Sequence, residues 1–277
     1  MNRNFPSQFK NGKIGKHKKM SNREIMKLSP SNPSYNYPTN RFIQPETKAI
    51  MKWVLENPFV LSLILHGGAA GAFYPYDDGI SKPFVSLGSK DASKMGYPSF
   101  TPDNQVMKFL ANAYASNHLD MHLGKPCRQM SFKDGIGNGA GWYPLSGSMN
   151  DFNYIFSNAF EVTVELTCCK KPHQSQLPLE WKKNKNSLIE YLKQAHIGIK
   201  GIVTDKTGRR FSGAEIIVVG NNKKIVSTDR GEYWRLLMPG RYRVYARGCQ
   251  LFEDCRNSEV RTVRVTKNKV KRVDFRL

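Results

Sequence analysis

His66 closes the apolar run Phe59 to Leu65 and opens the stretch HGGAAGAFYPYDDG. An imidazole placed there stands where a strand gives way to a glycine-rich loop, and an open α/β sheet keeps its ligands at such points. The run hardly alternates, as suits a strand covered on both faces. Neutral imidazole can bind a metal or carry a proton, and the plainer alternative is a histidine that caps a strand. A carboxylate is the second candidate. Residues Phe160 to Thr167 alternate, with Val162, Val164 and Leu166 on one face and Glu161, Thr163 and Glu165 on the other. Either acid could serve as a base, and a half-exposed strand would explain both without catalysis. The spacing alone does not raise Glu165 above Glu161.

Three further places invite chemistry and each has a plain alternative. Asp77 and Asp78 precede Gly79 after Tyr74-Pro75-Tyr76, a pair able to receive a cation and equally an ordinary turn. Tyr143 lies in Trp142-Tyr143-Pro144, where packing is the common role of the ring. His118 and His122 stand four apart, a spacing that can offer two imidazoles to one metal from a helix. The two-histidine zinc signature needs a glutamate after the first histidine, where this chain has Leu119 and Asp120, so the motif fails.

Longer motifs give these residues an order. The chain begins Asn2-Arg3-Asn4-Phe5-Pro6, later reads Asn138-Gly139-Ala140-Gly141-Trp142-Tyr143-Pro144-Leu145-Ser146-Gly147-Ser148-Met149-Asn150-Asp151-Phe152-Asn153-Tyr154, and then reaches Phe160 to Cys169. In these motifs it resembles the regulatory, N/E-type zinc metallocarboxypeptidases, the group of carboxypeptidases D, E, M and N, from residue 2 to the C-terminus. The resemblance implies a zinc ligand at His66, the catalytic glutamate at Glu165, and at Tyr143 the tyrosine that closes over bound peptide. It implies that Asn2 and Arg3 hold the substrate's terminal carboxylate, for which an arginine fork is a natural clamp. It makes Asp77 the acid that faces the departing side chain and favours Lys or Arg. Asn150 stands where close relatives usually carry glutamine, so that polar contact is one methylene shorter. It also suggests that Cys127 meets Cys168 or Cys169, while Cys249 and Cys255 are close enough in sequence to bridge a loop; a reduced, buried state stays open for each.

One part of the implied centre is missing. The family's metal site takes two histidines and a glutamate, the first two of these from an HxxE motif ahead of the Asn-Arg pair. None of the six histidines has a glutamate three residues on: the positions hold Met20, Ala69, Met121, Lys125, Gln176 and Ile199. The arginine that relatives use to polarise the scissile carbonyl is missing too. The expectation is therefore an N-terminally shortened zinc carboxypeptidase for basic C-terminal residues, with one of three zinc ligands and little or no activity as given. A non-catalytic protein on the same frame, holding polyanions or matrix, is the alternative.

The elements that must position these residues divide in two. Pro45 and Glu46 suit a helix start, with Ala49, Ile50, Trp53 and Val54 as its buried stripe. Asp103 to His118 carries a helical stripe at Val106, Phe109, Leu110, Ala113 and Tyr114, and 177–195 a closing helix with Trp181, Leu188, Ile189 and Leu192 as its apolar face. After His196 short strands follow, separated by turn residues. The expected fold is thus α/β: residues 1–196 form an incomplete carboxypeptidase-type mixed sheet with flanking helices, including a basic loop at 7–40, and residues 197–277 an all-β, transthyretin-like sandwich.

Charge is uneven. The total of +21 divides into +9 for residues 1–52, +1 for 53–197 and +11 for 198–277, the last from 19 basic and 8 acidic residues. Basic ends attract sulfated polysaccharide, acidic lipid or nucleic acid, or serve only solubility. No apolar run approaches the ~18 residues of a membrane span, and the first residues lack the apolar middle of a signal peptide. By resemblance the protein is expected in the secretory pathway or outside the cell, as a monomer acting on peptides that end in Lys or Arg.

Overall fold

The computed structural model describes residues 4–5, 43–79, 96–124, 127, 130–250 and 254–277. The expected basic loop at 7–40 lies outside them. Two compact units divide the chain, Met1–Gln194 and Ala195–Leu277.

In the first unit, β1 (Leu61–His66), β2 (Ala69–Tyr74), β3 (Ile136–Asn138) and β4 (Phe160–Thr167) form a mixed sheet in the order β1-β4-β2-β3. β1 runs parallel to β4 with Leu61 opposite Phe160 and His66 opposite Glu165, and β2 runs antiparallel to β4 with Gly71 opposite Glu165. The glycine-rich stretch after His66 is therefore not a loop. Only Gly67 and Gly68 turn the chain, Gly68 at φ 122°, where a side chain would be strained, and Ala69–Tyr74 is a strand buried at every position. Small residues make that possible, because β2 is covered on both faces. The β1 run is the reverse case. Its residues are half-buried or exposed, since among the described residues it stands at the edge of the sheet.

Among the described residues five α-helices accompany the sheet: α1 (Pro45–Glu56), α2 (Asn104–Ala115), α3 (Gly139–Trp142), α4 (Met149–Phe156) and α5 (Leu177–Lys193). α2 buries Val106, Met107, Leu110, Ala111 and Tyr114, close to the stripe its sequence shows. α1 follows its stripe only in part, at Ile50 and Val54, and α5 does not follow its own. α1 turns Thr47, Met51 and Val54 inward, leaving Trp53 55% exposed, and α5 buries Asn184, Ser187 and Tyr191, leaving Trp181 57% and Leu192 65% exposed. Hydrogen bonding fixes the α5 face: Tyr114 Oη donates to Asn184 Oδ1 (2.7 Å) and Tyr191 Oη to Ser62 O (3.0 Å). Buried bonds of this kind outweigh an apolar stripe, because leaving them unmade costs about 1–3 kcal/mol each.

The second unit is β-rich. β5 (Gly198–Thr204) pairs with β8 (Glu232–Arg235), β12 (Val270–Arg272) and β13 (Phe275–Arg276); β6 (Glu215–Val218), β7 (Ile225–Val226), β9 (Gly240–Gln250), β10 (Asp254–Asn257) and β11 (Arg261–Val265) make a second sheet. Alternation is clean. Ile216, Val218, Val244, Ala246, Val263 and Val265 of one sheet and Ile199, Val203, Tyr233 and Phe275 of the other are buried.

Candidate active site

His66 and Glu165 end up side by side because parallel pairing of β1 with β4 puts them opposite each other at the close of β1. His66 Nδ1 lies 3.9 Å from Glu165 Oε1. Glu165 is buried, and burial pushes its carboxyl up to about 7 while Lys170 pulls the other way. Its Oε2 is buried without a hydrogen bond among the described residues. A carboxyl that titrates near neutrality and keeps an oxygen unengaged is suited to take and return a proton.

The half-exposed reading of β4 does not hold. Glu161 is fully buried four residues before Glu165 on the same face, and it accepts hydrogen bonds from Ser62 Oγ and Asn153 Nδ2. Burial raises it to about 7 as well, against those two bonds. The two acids thus divide: Glu161 ties β1 and α4 to β4, and Glu165 stands beside the imidazole.

Asp77 and Asn150 also meet. Asn150 Nδ2 donates to Asp77 Oδ1 at 3.1 Å, both residues buried. The link is set by α4, whose first turn is capped by Ser148 Oγ accepting from Asp151 N (3.1 Å). Asp151 in turn receives Asp77 N (2.7 Å) and Asp78 N (2.9 Å) on its two carboxylate oxygens. The Asp77–Asp78 turn is therefore a bracket gripped from α4 rather than a free surface turn. Burial, with Asp77 as the next cause, holds the Asp151 carboxyl well above its usual range. Asp78 accepts from Ser146 Oγ at 2.9 Å. Sequence reasoning missed Asp151, although Ser148 three residues ahead of an acid is a helix-start signature that marks it. Gly139 completes the bracket, because a Cβ there would lie 1.9 Å from Asp77 Oδ1.

Tyr143 follows α3, its N–H bonded to Gly139 O (2.8 Å) and its side chain exposed. Asn2 and Arg3 lie outside the described residues. The nearby Phe5 is described: its N–H donates to Gly147 O (3.0 Å) and its ring packs on Phe152 at 5.3 Å, so Phe5 is held against the entry to α4. His118 Nδ1 accepts from Met121 N (3.0 Å) and His122 Nδ1 contacts His118 O (2.8 Å). Disulfides join Cys127 to Cys168 and Cys249 to Cys255, and Cys169 is a free, exposed thiol.

The donors among the described residues do not make a complete zinc centre. Such a site needs three protein ligands and an open position, and no group of three His, Cys, Asp or Glu that could hold a metal gathers among the described residues. His66 and Glu165 supply one imidazole and one acid.

Residues 1–187 match the zinc carboxypeptidase family and residues 198–277 the carboxypeptidase regulatory-like domain. Carboxypeptidase D of Drosophila melanogaster is 48% identical over 84% of this chain and 16% of its own length. Carboxypeptidase M of Mus musculus is 41% identical over 87% of this chain and 47% of its own, and the carboxypeptidase N catalytic chain of Rattus norvegicus 44% identical over 74% and 43%. The chain spans less than half the length of each of these relatives. With two thirds of its residues inside the first match and its remaining strands inside the second, the chain belongs to the zinc carboxypeptidase family.

Proposed function

We propose that this chain carries part of a peptidase site that removes C-terminal Lys or Arg from peptides, and that the 277 residues alone turn over little or no substrate. The observation that carries the reading is the His66–Glu165 pair, 3.9 Å apart, with the glutamate at about 7. In this reading Glu165 takes a proton from the attacking water and hands it to the departing amine, a role that calls for a carboxyl titrating near the working pH. Asp77, with Asn150 bonded to it, receives the basic side chain of the last residue. Asn2 and Arg3 hold its carboxylate, and Tyr143 closes over the peptide. The low turnover rests on the donor set, one imidazole beside one acid, and no step is assigned to a metal.

The protein is proposed to act as a monomer in the secretory pathway or outside the cell, supported by two disulfides, which persist in oxidising compartments. Among the described residues no helix is long and apolar enough to cross a membrane. The test is a peptide ending in Arg, offered to the purified chain with added zinc. No arginine should be released, and the peptide should bind more weakly to Asp77→Asn than to the unchanged chain. Clear turnover that is lost in Glu165→Gln would overturn the low-activity claim, and equal binding of peptides ending in Arg and in Ala would overturn the specificity.

A further inference from the structure

The second unit carries a charged face that the peptidase reading leaves unused. β9 alternates along its length, so Arg241, Arg243, Tyr245 and Arg247 point to one side while Val244 and Ala246 are buried on the other. β11 pairs antiparallel to β9 with Arg264 directly opposite Arg241 and Thr262 opposite Arg243. Like charges placed directly across a ladder destabilise the pair. Arg241, Arg243, Arg264 and Lys267 are exposed and make no side-chain hydrogen bond or ion pair among the described residues. Glu215, opposite Arg247 on β6, is already engaged by Lys224 at 2.7 Å. Where β9 begins and β11 ends, Pro239, Arg241, Arg264 and Lys267 line a surface depression of about 570 Å³.

We infer that this face of β9 and β11 is a binding site for a linear sulfated polysaccharide. Alternate residues of a strand lie about 6.6–6.8 Å apart, so the arginines form a row that follows an extended chain carrying repeated anions. Guanidinium forks suit tetrahedral oxyanions, offering parallel N–H donors that an ammonium lacks. Tyr245 interrupts the row with a half-buried ring, a flat surface on which a sugar can rest. The Cys249–Cys255 disulfide at the far end of β9 marks an oxidising compartment, where sulfated polysaccharide is the polyanion at hand rather than nucleic acid. Among the described residues this exposed face carries no cluster of the large apolar side chains that an interfacial membrane anchor buries.

The probe is a heparin oligosaccharide, titrated calorimetrically into the full chain at several salt concentrations. An Arg241→Ser/Arg264→Ser double variant should bind about ten-fold more weakly and show a shallower salt dependence, because two ion contacts are removed. Both side chains are exposed and unbonded, so the fold should be kept, which far-ultraviolet circular dichroism checks. A Lys182→Ser/Lys185→Ser variant removes the same charge from exposed positions of α5 and should bind within about two-fold of the unchanged chain. Equal losses in the two variants would reduce the site to diffuse charge and overturn the inference. So would undiminished binding in the first variant, equal binding of desulfated heparin, or tighter binding of phosphatidylserine vesicles or duplex DNA than of heparin.

Discussion

The two ends of β4 hold the same residue type in opposite circumstances. Glu161 and Glu165 share a face, and burial pushes both up to about 7. At the start of the strand Glu161 is sealed in, with Ser62 Oγ and Asn153 Nδ2 donating to it. At the end Glu165 keeps Oε2 without a bond and has His66 beside it. A raised carboxyl therefore does not by itself identify the reactive group. What separates the two is whether the neighbouring donors are already spent and whether the group reaches the surface.

The two ends are also held differently, and this gives the strongest test. Cys168, just beyond β4, is bridged to Cys127 across a sequence separation of 41. A loop of that size confines the unfolded chain by about 4 kcal/mol. A Cys127→Ser/Cys168→Ser variant should lose about that much in urea unfolding, and a loss below about 1 kcal/mol would show that the Glu165 end is held by the sheet alone. The Glu161 end depends on hydrogen bonds. Glu161→Ala leaves Ser62 and Asn153 facing an unfilled space, with an expected loss of about 3 kcal/mol at pH 5, where the acid is protonated. Glu165→Ala should lose under about 1 kcal/mol, since Glu165 accepts no bond at Oε2 and borders solvent. Equal losses at the two positions would break the contrast.

Much of this contrast was legible in the residues, but unevenly. His66 is the last residue of its strand, as the apolar run implies, and the short strands expected after His196 are found in the second unit. Alternation works there because each strand has one dry and one wet face. It failed in β4, which is paired on both sides in the middle of its sheet and buried on both faces over most of its length, so the acids expected at the surface lie inside. It failed again at Ala69–Tyr74, where small residues and glycines imitate a loop while forming a fully buried strand. The inward face of α5 was misread for a related reason, since periodicity counts apolar residues and cannot see that Asn184 and Tyr191 have hydrogen-bond partners waiting. Asp77 and Asn150 meet across a sequence gap of 73, a proximity no local pattern announces. The motif resemblance brought them together before the geometry did.

The smallest expected effect is the most discriminating, because it asks which end of β4 is drier. A carboxyl raised from 4.5 to about 7 in the folded state keeps its proton in a range where the unfolded chain has released it. Between pH 4.5 and 7 the folded protein therefore binds more protons than the unfolded one, so stability falls as pH rises through that window and levels off above it. For Glu161 the fall should be on the order of 2 kcal/mol, less than the full shift implies, because water entry relaxes a buried charge. Glu165 contributes in the same direction but less, since it borders solvent and Lys170 already favours its charged form. Unfolding midpoints measured from pH 4 to 8 should thus flatten most in Glu161→Gln and only partly in Glu165→Gln. The reverse order would mean that the end of β4 next to His66 is the sealed one, and Glu165 would then be too dry to exchange protons with a substrate.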